Sequence, residues 1–202
     1  MTTTQKSHIP LRNENGFTLI EIIMALLITS IVVSAVYSLF SQMTRSFTSQ
    51  EVTAEVQQQL RLGIDFIVRD IRKTGFDPTG LTQAGITSAT PTSFQFTADR
   101  DENGSLTDLG EDITYTFNAA EGRLERLDAN STFGTEVLVE NVDVASSGFT
   151  YLDGSSPPAA TTDPDTIRTI VIAMTVEEPA GRAAPVTRTL SARVAARNLG
   201  LQ

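Results

Sequence analysis

The chain has 202 residues, 40% of them hydrophobic, which suits one domain or two small ones with a modest core. Its formal charge of −9, from 15 Lys and Arg against 24 Asp and Glu, argues against nucleic acid as a partner, because phosphate binding needs clustered cations. Cys is absent and His8 is the single histidine, which excludes disulfides, thiolate zinc sites, iron–sulfur clusters and Cys nucleophiles and leaves His chemistry almost no material.

Residues 1–16 are hydrophilic and carry Lys6 and Arg12 against Glu14. From Phe17 to Phe40 the chain is apolar, with Glu21 its one charge. As a helix this run is about 36 Å long at 1.5 Å per residue, enough to cross a hydrocarbon core of roughly 30 Å with some tilt. A short positive N-terminal segment stays in the cytoplasm, which places the acidic remainder on the far side. A secretory signal peptide has a shorter apolar stretch and a small-residue cleavage site, and neither is present here.

Gly16-Phe17-Thr18-Leu19-Ile20-Glu21 resembles the cleavage and methylation motif of type IV prepilins and type II secretion pseudopilins. The resemblance implies that prepilin peptidase, a membrane aspartyl protease, cuts between Gly16 and Phe17. It then implies N-methylation of Phe17 and a role for Glu21 in assembly with other pilins. It also implies an α+β fold, with a long N-terminal helix packed on a mainly antiparallel β-sheet. The corresponding segments are a cleaved cytoplasmic leader at 1–16, a transmembrane or filament-core helix at 17–40, an amphipathic extension at 41–76 and a β-rich periplasmic or extracellular domain at 77–202. A lone carboxylate near the centre of a membrane helix costs roughly 2.5–3.5 kcal/mol. At the first turns the positive end of the helix dipole favours it. A methylammonium on a neighbouring subunit's first residue would pair with it where apolar packing excludes water.

Beyond the apolar run, Val52, Val56, Leu60, Ile64, Ile67 and Ile71 recur every three or four positions and mark one face of an amphipathic helix. Gln57, Gln58, Arg61, Asp65, Arg69 and Arg72 occupy the other side. Gly63 inside this pattern costs about 1 kcal/mol against Ala. Gly75 and Pro78 supply a stop, with Arg72 and Lys73 suited to a helix C-terminus.

Strand-like composition or alternation marks Thr92–Ala98, Asp112–Phe117, Arg123–Leu127, Glu136–Val144, Gly148–Leu152, Thr166–Glu177 and Val186–Ala196. Apolar residues at both parities of Thr166–Glu177 predict a strand buried on both faces. Pro179, Gly181 and Pro185 mark the turn before the last strand, and residues 154–164 read as an exposed loop. Three segments extend the resemblance. Arg69–Pro78 is similar to the segment that closes the helix in PilW-type minor pilins. Thr135–Asp153 is similar to a segment of PilW-type and GspJ-type subunits, and the closing RTLSARVAARN to their final strand. The disulfide-bounded loop of major pilins is impossible without Cys, and Ser38 lies near where many major pilins carry a helix-kinking proline. Both departures point to a minor subunit.

Asp99-Arg-Asp101-Glu-Asn103-Gly104-Ser105-Leu-Thr-Asp108 resembles the start of a calcium loop, with Asp99, Asp101, Asn103, Asp108 and a carbonyl near Ser105 as oxygen donors. Gly110 stands where such a loop ends in a bidentate acid, so Asp108, Glu111 or Asp112 must substitute. The same residue types also make a plain hairpin loop. No nucleotide-binding or paired catalytic motif is present, so the chain reads as a non-enzyme that requires no cofactor. Two classes remain open: a processed pilus or pseudopilus subunit in contact with the inner membrane, and a signal-anchored periplasmic binding protein that never polymerises.

Overall fold

The computed structural model describes residues 16–181 and 184–199. The expected leader therefore lies outside the described residues apart from Gly16, as do Arg182 and Ala183 of the turn before the last strand. The chain divides into two compact units at Arg45 and Ser46.

Helix α1 runs Leu19–Ile71, 53 residues. Its buried residues are Val56, Leu60, Gly63, Ile64, Ile67, Asp70 and Ile71, the face that the spacing predicts, while Val52 is only half-buried. The helix stops short of residue 76. Lys73 and Thr74 donate N–H bonds to the carbonyls of Asp70 and Ile71 at 2.9 and 3.1 Å, a tightening that closes the last turn. Gly75 then adopts φ +75° and donates its N–H to Thr97. A Cβ at this glycine would stand 2.7 Å from Leu199 Cδ2, so conformation and packing both require glycine here.

The rest of the chain makes two antiparallel sheets where one is expected. Strands β1 (Ile86–Ala89), β2 (Ser93–Thr97), β3 (Asp112–Asn118), β4 (Arg123–Asp128) and β5 (Thr135–Val139) form a five-stranded meander in chain order. Strands β6 (Gly148–Asp153), β7 (Ile167–Glu178) and β8 (Val186–Ala195) form a three-stranded sheet, also in chain order. The expected strand Glu136–Val144 breaks between them. Asn141 takes φ +55°, and Asp143 caps a short 3-10 turn over Val144–Ser146 by accepting from the N–H of Ala145. Strand β1 escapes the sequence because it has four residues and a register shift, too little for a readable alternation.

Strand β7 buries one face along its length and the other only in part, where Thr175 is buried. Ile170, Ile172, Met174 and Val176 are buried, whereas Thr169, Val171 and Ala173 on the opposite face are half-buried. Aromatic rings join the two sheets. Phe94 stacks on Phe96 at 5.4 Å between centroids and meets Phe149 at 6.0 Å, and Phe117 meets Phe149 at 5.0 Å. Tyr151 Oη donates across to the carbonyls of Thr90 and Ser93 at 2.8 and 3.0 Å.

At Gly63 the helix lies against the sheets with no room for a side chain. A Cβ there would stand 2.5 Å from Val139 Cγ2 and 3.2 Å from Met174 Cε. The glycine that costs helix propensity therefore permits close packing. Gly63→Ala should gain about 1 kcal/mol of propensity and lose about 1–3 kcal/mol to overpacking. The net result expected in thermal melting is a lower Tm.

Candidate functional site

Thr18 starts the helix. Its Oγ1 accepts the Glu21 N–H at 3.3 Å and its carbonyl accepts the same N–H at 3.1 Å. Thr18-Leu19-Ile20-Glu21 thus has the spacing of a capping box, in which a Thr hydroxyl satisfies the N–H three residues on. That signal was readable in the sequence, and it identifies Thr18 as a positioning residue the motif alone does not single out. Glu21 is exposed on the first turn and forms no ion pair among the described residues.

Among the described residues, nothing in packing or backbone conformation requires glycine at position 16. A Cβ on it would meet nothing within 4 Å, and its φ lies outside the left-handed region. Every residue from 16 to 40 is exposed, with Phe17 at 80% and Leu19 at 76%. Hydroxyls inside this stretch bond back to the helix: Thr29 Oγ1 donates to the Ala25 carbonyl at 2.7 Å and Ser30 Oγ to Leu27 at 2.8 Å. The segment therefore presents apolar surface, and these two hydroxyls are satisfied by the helix's own backbone, as a lipid or filament interior favours. The helix is long and apolar enough to cross a membrane.

Residues 11–37 match the family described as the prokaryotic N-terminal methylation motif. That signature supports the type IV prepilin and pseudopilin family. The match is confined to this segment, and no curated protein and no solved structure matches the chain. The motif implies processing by prepilin peptidase and assembly with other pilins. With that motif, the apolar N-terminal helix supports a single-pass membrane anchor.

A second cluster lies where α1 ends on the five-stranded sheet. Asp70 is buried and its Oδ2 accepts from Tyr115 Oη at 2.7 Å. Arg100 Nη2 stands 3.5 Å from Asp70 Oδ1, and Arg126 Nε 3.7 Å from Oδ2. Arg126 also lies over the Phe66 ring, 5.6 Å from its centroid. Burial pushes the Tyr115 phenol well above its usual range, and the Asp70 carboxylate adds to it. The phenol therefore stays a donor. Sequence reading places Asp70 only in a helix-end motif, because its partners are distant in the chain.

The loop between β2 and β3 sets two of the predicted oxygen donors, Asp99 and Asp101, in one carboxylate group and links Asn103 to Asp101 and Asp108 through its amide nitrogen. Asp99, wholly buried, accepts the N–H groups of Asn103 and Gly104 at 3.1 and 3.0 Å. Asn103 Nδ2 donates to Asp101 Oδ2 at 3.0 Å and to Asp108 Oδ2 at 2.8 Å, and its Oδ1 accepts from the Ser105 N–H at 2.8 Å. Glu111, buried, accepts from the N–H groups of Arg100 and Asp108 at 2.8 and 3.2 Å. Among the described residues, Asp99, Asp101 and Glu111 form a carboxylate group whose ligand atoms lie within 4.8 Å of one another. Glu111, named in the sequence as one substitute for the missing acid, is the one found there.

These hydrogen bonds give the loop an order of its own, so an ion would add to a structure already fixed. Asp99→Ala strips acceptors from two N–H groups and should cost about 1–3 kcal/mol in thermal melting, with or without chelator. A calcium site adds a second signature: millimolar Ca²⁺ raises the Tm of the wild type by mass action, and Asp101→Ala abolishes the rise. An unchanged Tm assigns the loop to its hydrogen bonds alone.

Proposed function

We propose that this chain is a minor subunit of a type IV pilus that helps filament initiation or tip assembly. Prepilin peptidase cuts between Gly16 and Phe17, Phe17 is N-methylated, and the subunit assembles through α1 with Glu21 as its docking carboxylate. The precursor spans the inner membrane with residues 1–16 in the cytoplasm. Residues 17–40 make the membrane or filament-core segment, and the domain beyond residue 76 stands in the periplasm. The carrying observation is Gly16, which the chain's own packing and backbone do not require, placed before an apolar helix its own chain leaves uncovered. A residue without a side chain lets a protease approach the backbone closely. The absence of Cys, and the PilW-like segments at Arg69–Pro78 and Thr135–Asp153, favour the minor role. The likeness of Thr135–Asp153 to GspJ-type subunits supports a second reading, a minor pseudopilin of type II secretion.

Mass spectrometry of the protein from membranes of cells containing the peptidase should find N-methyl-Phe17 as the first residue, and Gly16→Val should leave the precursor uncut. An intact precursor terminus in the wild type would instead indicate a signal-anchored periplasmic protein.

Glu21 serves docking in this reading, not folding. Glu21→Ala should therefore insert in the membrane and melt like the wild type while its incorporation into filaments falls. Undiminished incorporation would remove the assigned role.

A further inference from the structure

Strand β8 leaves one side of its backbone without a partner. It pairs with β7 over the whole of Val186–Ala195 without a register shift, and it is the edge of its sheet. Ala196 continues the same register by donating its N–H to the Arg168 carbonyl at 3.1 Å. Residue pairs that exchange such bonds alternate along an antiparallel ladder. The even-numbered residues of β8 therefore turn their backbone groups to β7. Thr187, Thr189, Ser191, Arg193 and Ala195 turn theirs outward. All of these are exposed. The Thr187 carbonyl accepts from Arg188 Nη1 at 3.2 Å, and no other outward carbonyl or N–H of these residues meets a backbone partner among the described residues.

Natural sheets protect such edges with short strands, prolines, bulges or charges. Strand β8 is ten residues long with no proline and no bulge, and charge is the protection it has. Arg188 and Arg193 are exposed on opposite faces of the strand, and Arg197 is exposed just beyond it. None of the three forms an ion pair among the described residues, although Glu177 and Glu178 lie opposite Thr187 and Val186 at the strand's start. Unpaired arginines are conspicuous in a chain of net charge −9. They disfavour a second copy of β8, because side-by-side pairing would gather the positive charges of both strands on one edge. They attract an acidic strand.

We propose that the open edge of β8 is a docking site for an extended, acid-bearing strand of another protein chain. The added strand continues the sheet beyond β8. Its backbone bonds the outward N–H and C=O groups from Thr187 to Ala195, and its carboxylates pair with Arg188 and Arg193 on the two faces. Backbone bonds give such an interface its affinity and side chains its choice of partner. This inference is independent of how the N-terminus is processed.

The test uses the full chain in detergent micelles and two labelled peptides, one repeating Val-Val-Glu-Glu and the other Val-Val-Lys-Lys, so that each carries its charges on both faces of the added strand. Fluorescence anisotropy should show binding of the Glu peptide and none of the Lys peptide. Amide hydrogen exchange should slow at Thr187, Thr189, Ser191, Arg193 and Ala195 when the Glu peptide is bound. Arg188→Glu with Arg193→Glu should weaken the Glu peptide about tenfold. Ser191→Pro removes an N–H that the β7 ladder does not use, so the variant should melt like wild type yet lose binding. Binding of neither peptide, or binding that both variants leave unchanged, would overturn the proposal. Concentration-dependent protection of β8 without peptide would overturn it too, by assigning the edge to a second copy of this chain.

Discussion

One helix must satisfy two environments, and most of the molecule follows from that. From Leu19 to Phe40 α1 is apolar on every side and exposed on every side. From Val56 to Ile71 the same helix has one buried stripe, covered by the sheets of its own domain. Burial of apolar surface is worth about 25 cal/mol per Å². Exposed Leu, Ile, Val and Phe side chains in such number therefore have no stable existence in water. Lipid, or the helices of neighbouring subunits, must supply the cover that the chain withholds. The sheets confirm the division from the other side, since their inner faces are spent on residues after Ser46 and on each other.

Two contacts fix how that helix sits on its domain. At Gly63 the backbone approaches Val139 and Met174 so closely that a methyl group does not fit. At Asp70 a buried carboxylate is held by Tyr115, Arg100 and Arg126. The first contact sets the distance and the second sets rotation and height, because a buried charge tolerates only the position in which its partners reach it. Apolar side chains between them, such as Ile64 and Ile67, then pack in one arrangement.

The sequence made the processing motif, the helical face and seven of the strands readable, for a shared reason. Each is a local pattern: a hexapeptide, a period near 3.6, an alternation. What escaped depends on distance along the chain or on single dihedral angles. The break at Asn141 that divides one sheet into two turns on a left-handed residue followed by the Asp143 cap. The partners of Asp70 lie on a loop and on two strands far away in sequence, so composition shows only an aspartate in a helix end. The role of Gly63 was visible as a cost and not as a contact. The capping box at Thr18 was local and readable, and was obscured because the same residues spell the processing motif.

That overlap at Thr18 to Glu21 carries the last step of the argument. Lys6 and Arg12 are the basic side chains before Glu21 in the given sequence, and Arg45 is the first after it. The described residues supply no ion-pair partner for Glu21. The helix dipole satisfies part of an anion's need on the first turn, but a carboxylate buried away from water needs a full counter-charge. Hydrolysis after Gly16 would release an ammonium on Phe17 and discard Lys6 and Arg12 in the same step. A methylated amine keeps its positive charge. The carboxylate and the new cation would then lie a few residues apart on one chain, and the apolar surface around them would need a neighbour to exclude water. Processing would thus switch on assembly by creating the charge that makes burial of Glu21 affordable, while the domain beyond it needs no change.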